Sequence, residues 1–230
     1  MTAVEMQYNF ELKLGYFHSL DKPFTSVDVS NFLNQAQDIY IDQKYSDKFR
    51  RESYFEADEK IRSELGALIK AYEATGSALV SAENPLYDSS KMINMPSDYY
   101  YSIWELCRVS YIDCNGASAT YDARVLPIRH DEANENINNP YRKPYKKLVW
   151  RLDYGLTGSK KHEIITGENY TISSYKMRYI KKPRQINING QVSCELHENT
   201  HDEIVNIAVE LAMRTIPSKE NNNVEQKQES

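Results

Sequence analysis

Residues 197–201 read HENTH, the H-E-x-x-H pattern in which two histidines one helical turn apart bind zinc and the intervening glutamate is the general base. That chemistry needs His197 and His201 at i and i+4 of one helix, with both rings aimed the same way. The surrounding residues point elsewhere. Thr200 followed by Glu203 predicts a capping box, with Thr200 as N-cap and Glu203 at N3. His197 then precedes the helix and His201 falls in its first turn. Asn199 and Thr200 are weak helix formers, and Asp202 and Glu203 suit a helix N-terminus through its dipole. A zinc site would also need a third ligand, and His18, His130 and His162 sit in no motif that nominates them.

Other catalytic patterns are thinner. Cys107, Cys114 and Cys194 have no CxxC spacing and suggest free thiols rather than a metal site or a disulfide scaffold. Serine, histidine and aspartate occur in no nucleophile-elbow context, and no glycine-rich phosphate loop is present. The expectation is a protein with no catalytic residues, cofactor or resident metal. His197 and His201, with Glu198, stand as the metal pair of an alternative zinc-dependent hydrolase.

Charge carries more. The chain has a formal net charge of −5, but residues 141–184 hold 12 Lys and Arg against 3 Asp and Glu. So polarised a chain presents a basic face and an acidic remainder. Tyr141 and Tyr145 interleave with Arg142, Lys143, Lys146 and Lys147, while Lys176, Arg178, Lys181, Lys182 and Arg184 follow downstream. Tyrosine and arginine are enriched where proteins meet proteins. Tyr141, Arg142, Lys143, Lys146, Lys147, Lys176, Arg178, Lys181, Lys182 and Arg184 form the candidate subunit or partner interface, and the acidic remainder supplies its complement. The same mixture could clamp single-stranded nucleic acid, which gives the second alternative, a nucleic-acid-binding accessory protein.

These residues must be carried by an α+β fold. Val29, Phe32, Leu33, Ala36, Ile39 and Tyr40 fall at helical spacing behind Thr25 or Ser26 as N-cap. Ser53 and Glu56 can box a second helix whose face continues through Ile61, Leu65, Leu68 and Tyr72 to a stop at Gly76. Strands are expected at KMINM, at 99–112, 119–126 and 148–154, and at 162–166 and 170–180, all paired antiparallel. The organisation is an N-terminal arm (1–24), a helical hairpin (25–76) and an antiparallel β domain (77–199) with a projecting loop (130–147). A closing helix (200–216) and a disordered tail (217–230) complete it. The N-terminal helical hairpin and C-terminal helix pack with the antiparallel β-sheet domain. No apolar run is long enough to span a membrane, and MTAVEMQYNFELKL carries no secretory signal pattern.

In this order the segments resemble the ring, or head–tail connector, proteins of crAss-like bacteriophages, the portal-to-tail adaptors. The resemblance runs through FTSVDVSNFLNQAQDIYIDQKY (24–45), INMPSDYYYSI (93–103), YTISSYKMRYIKKPRQI (170–186) and CELHENTHDEIVNIAVELAM (194–213). It implies a non-enzymatic virion component in the neck, assembled in the host cytoplasm. The implied partners are further copies of itself in a twelvefold ring, the portal protein and other ring or tail proteins. Packaged DNA would pass through the channel, with no membrane involved.

Overall fold

The structure, a computed structural model, describes residues 1–17, 24–50, 59–82, 90–112, 114–136, 139–156, 159–167 and 169–216. Five helices are described: α1 (Ala3–Phe17), α2 (Ser26–Arg50), α3 (Glu59–Leu65), α4 (His130–Asn136) and α5 (His201–Thr215). Eight strands accompany them: β1 (Ile69–Thr75), β2 (Leu79–Ser81), β3 (Lys91–Asn94), β4 (Tyr99–Ile112), β5 (Ser118–Pro127), β6 (Leu148–Leu156), β7 (Ser159–Ile165) and β8 (Thr171–Lys181). The chain divides into two units, a helical one from 1–68 with 183–230 and a sheet one from 69–182.

In the helical unit, α2 opens on a reciprocal box. Thr25 N–H donates to Asp28 Oδ2 at 3.0 Å, and Asp28 N–H donates to Thr25 Oγ1 at 3.2 Å. The buried face of α2 is Val29, Leu33, Ala36, Tyr40 and Ile41, and it packs on the Ile204, Val205, Ala208 and Ala212 face of α5. Within the expected arm, Ala3–Phe17 form helix α1. Thr2 and Glu5 make the same box, at 2.8 and 3.3 Å. Ala3, Met6, Phe10 and Leu14 then recur at helical spacing and bury against α5 and α2, with Phe10 stacked on Phe32 at 6.1 Å. The Asn34 amide grips the 183–200 segment, donating to Ile186 O (3.0 Å) and accepting from Ile186 N–H (2.6 Å).

The second helix also differs from expectation. It ends at Leu65, and Ile69–Thr75 is strand β1, paired antiparallel with β8 from Ile69↔Ile180 to Thr75↔Ser174. Ile61, Leu65, Leu68 and Tyr72 fit a helical period, but seven residues of ladder to β8 outweigh it. The box expected at Ser53 and Glu56 lies outside the described residues, as does the tail expected at 217–230.

The sheet runs β1-β8-β4-β5-β6-β7-β3-β2 and is antiparallel except between β5 and β6. That pair is parallel, which corrects the all-antiparallel expectation: a hairpin cannot return the chain in the same direction, so the segment between them crosses over through α4. The sheet curls on itself around one core. Ile93, Val109, Ala123, Val149, Ile164, Tyr175 and Met177, from six strands, share it. Tyr72 of β1 donates its hydroxyl to Asn94 O of β3 at 2.9 Å, across strands far apart in the order. Bulges on β4 break its alternation, and the rings of Tyr100 and Tyr101 lie 4.3 Å apart instead of on opposite faces.

A polar network is enclosed in this curl. The Arg151 guanidinium ion-pairs with Glu105, donates to Ser102 Oγ at 3.0 Å and reaches Asp153 at 2.9 Å. His162 Nδ1 lies 3.2 Å from the Tyr175 hydroxyl, while on the opposite face of β7, shared with Ile165, Ser90 donates to the buried Glu163 carboxylate at 2.9 Å. Desolvation, with the charges of Arg151 and Lys160, pushes the His162 imidazole down to about 3, so it is neutral in the folded chain.

Two outcomes follow from this network. Arg151→Met strands the Glu105 carboxylate in the interior and lowers unfolding free energy by about 3–5 kcal/mol, whereas Arg151→Met with Glu105→Leu recovers most of the loss. Urea titration of both variants checks it, and equal losses would refute the pairing. In the unfolded chain His162 titrates near 6.5. Between about 6.5 and about 3 the unfolded state therefore binds the extra proton. Stability falls as pH drops through that window, by up to about 1.4 kcal/mol per unit from this group. His162→Gln flattens that part of the slope between pH 7 and 4.

Candidate functional site

The HENTH stretch is a helix entrance. Glu198–Thr200 form a single 3-10 turn ahead of α5, and extended His197 caps it. Asn199 N–H donates to His197 Nδ1 at 3.3 Å, and Thr200 N–H to His197 O at 2.9 Å. Thr200 makes no side-chain cap to α5, which corrects the expected box with Glu203. Its hydroxyl donates instead to His197 O at 2.8 Å. The His201 ring turns inward, with Nε2 3.0 Å from Leu196 O and Nδ1 3.0 Å from the Met1 nitrogen. Its burial holds the imidazole below the usual histidine range. One ring is exposed and the other buried, so the i, i+4 geometry of the zinc motif is not built. Among the described residues, no group of three or more His, Cys, Asp or Glu side chains is placed to share a metal ion.

The basic residues fall into three sets. Tyr141, Arg142, Lys143, Tyr145, Lys146 and Lys147 form a turn between α4 and β6, and all six are exposed. The turn is fastened by its backbone. Arg142 and Lys143 N–H both donate to Asn139 O, Tyr145 and Leu148 exchange a bridge, and Lys147 O accepts from Arg124 N–H of β5. Gly167 lies so close to Pro144 that a Cβ there would come within 2.9 Å of its carbonyl oxygen. The turn presents side chains: Tyr141 is 96% exposed, and Lys146 Nζ sits 5.3 Å from the centre of the Tyr121 ring.

The second set lies on β8. Lys176 and Arg178 project from the wet side of that strand, opposite the buried Tyr175, Met177 and Tyr179, and Lys176 pairs with Glu73 at 3.3 Å. Lys181 ends the strand, and Lys182 N–H donates to Asp98 O. Arg184 is the outlier, since it belongs to the helical unit and faces Glu195 at 3.8 Å.

Beside the turn is a feature that spacing did not reveal. Leu126, Ile128, Leu148 and Trp150 floor an open groove of about 310 Å³, rimmed by Glu132, Asn136, Tyr141 and Arg142. α4 makes one wall, because Ala133 packs onto Trp150, Leu152 and Ile165 on the outer face of the sheet. Residues 130–136 are therefore docked rather than projecting. The only sequence sign was the alternation of Leu148, Trp150, Leu152 and Tyr154, whose opposite face, Val149 and Arg151, is also buried.

Charge divides with the units. Residues 69–182 carry 16 basic and 13 acidic side chains, whereas 1–68 with 183–230 carry 12 basic and 20 acidic. Among the described residues no helix is long and apolar enough to cross a membrane.

The chain is 31% identical over 199 residues to ring protein 3 of Bacteroides phage crAss001, covering 80% of this chain and 82% of that one. It is 30% identical over 169 residues to ring protein 4/5 of the same phage, covering 66% of each. The family described as phage tail ring protein 3/4 matches residues 1–225. The chain belongs to the phage tail ring protein 3/4 family of crAss-like phages.

Proposed function

We propose that this chain is a structural subunit of an oligomeric ring in the phage head-to-tail connector, between portal and tail and around the channel that passes the DNA. The family match over residues 1–225 carries the reading. The chemistry of the chain supports it. One unit has an excess of acidic residues and the other of basic ones, which suits subunits that join through two different faces. The 141–147 turn, with Lys176, Arg178, Lys181, Lys182 and Arg184, is the proposed contact surface for neighbouring copies, the portal or other ring proteins. Twelve copies follow from the resemblance to connector rings. A neck position also accounts for assembly in the host cytoplasm before incorporation into the virion.

Reconstruction of the virion neck tests the reading directly: density for this chain in a closed ring is expected, and its absence from purified virions would sink the proposal. In solution, native mass spectrometry should find a symmetric oligomer that loosens as salt is raised. Arg142→Glu with Lys146→Glu and Lys147→Glu should lower oligomer affinity at least tenfold. If those changes instead abolish only a steeply salt-dependent binding to oligonucleotides, the surface serves nucleic acid.

A further inference from the structure

Helix α1 has two apolar stripes. Ala3, Met6, Phe10 and Leu14 are buried, while Val4, Tyr8 and Leu12, spaced four apart, run along the opposite side and are 58%, 64% and 46% exposed. Large apolar side chains repeated at one helical face are the pattern of an anchor for a groove. Glu5 and Glu11 border this stripe and are both exposed. The sheet unit carries a matching surface: the apolar groove over Trp150, whose rim continues into Arg142, Lys143, Lys146 and Lys147. Glu132 and Arg142 both line the groove, Asp131 and Glu135 are also exposed on α4, and Lys143, Lys146 and Lys147 follow Arg142 in the turn.

From these two surfaces we infer that the α1 stripe of one copy docks in the Trp150 groove of the next, with Tyr8 as the central anchor and Glu5 and Glu11 set against the basic turn. The inference rests on the ring reading and names its subunit contact. A ring needs a heterologous interface, in which one patch meets a different patch on the neighbour. This chain holds such a pair, complementary in apolar character and opposite in charge. The groove has room for one or two side chains, which fits a helix anchor better than an extended ligand.

The test uses the full chain with the exposed Cys114 and the half-buried Cys194 changed to Ser, so that only introduced thiols react at the surface. Glu11→Cys with Lys143→Cys, oxidised with copper phenanthroline, should give a ladder of covalent multimers on a non-reducing denaturing gel, and neither single variant should pass beyond a dimer. Leu12→Asp should weaken oligomerisation at least tenfold in sedimentation while leaving the circular dichroism spectrum intact, since Leu12 is exposed. Glu11→Arg should weaken it too, and adding Arg142→Glu should restore it. A wild-type oligomer that survives Leu12→Asp with unchanged affinity, or a cross-link found only within single chains, overturns this contact and leaves the ring reading standing. A wild-type chain that is monomeric under all conditions, and absent from virions, removes both.

Discussion

A guanidinium enclosed by a sheet commits the strands around it. Arg151 can lie inside the curl only because Glu105 on β4 and Asp153 on its own strand supply charge there, with Ser102 taking a further bond. That requirement fixes more than one contact. Glu105 faces inward only in the register that sets Leu106 against Arg124, and Arg151 only in the register that sets Pro127 against it. A slip by one residue would send either charge to the outside and an apolar neighbour to water. The network therefore acts as a register pin for β4, β5 and β6, and those strands in turn support the groove and the basic turn on the outer face.

Much of the fold was legible because local signals agreed with tertiary ones. Thr25 and Asp28 start α2 where its helical stripe begins, and the Tyr175, Met177 and Tyr179 alternation in β8 reports a half-buried strand. Where local signals were degenerate, reading failed. Tyr8, Phe10, Leu12 and Leu14 satisfy a period of two, but they equally supply two helical stripes, and it is the Thr2–Glu5 box that decides between them. Ile69–Thr75 continued a helical period and became a strand because its partner lies more than a hundred residues away. The parallel β5–β6 pair was hidden for the same reason, since adjacency along the chain suggests hairpins.

The exposed 141–147 turn was legible in composition, and the shape of its surroundings was not. Interleaved Tyr, Arg and Lys marked the 141–147 turn, and that turn is exposed as such residues should be. Its groove is assembled from β5, β6 and α4, and only the crossover brings those together. HENTH shows the converse. Its spacing matched a metal motif, yet spacing says nothing of where a ring turns, and the His201 ring turns to Leu196 O.

The two units are nested along the chain. The helical unit packs α1 against α5, near opposite ends of the sequence, and the whole sheet unit is inserted between them. The sheet itself closes last with Ile69 against Ile180, so nearly all of it must leave the ribosome before its edge can pair. Folding during synthesis thus has a built-in order: the inserted sheet can finish while α1 and α2 still wait for α5. Until α5 emerges, α1 and α2 have each other but lack the helix that covers the rest of their apolar faces, an interval in which a chaperone or a sister copy could occupy them.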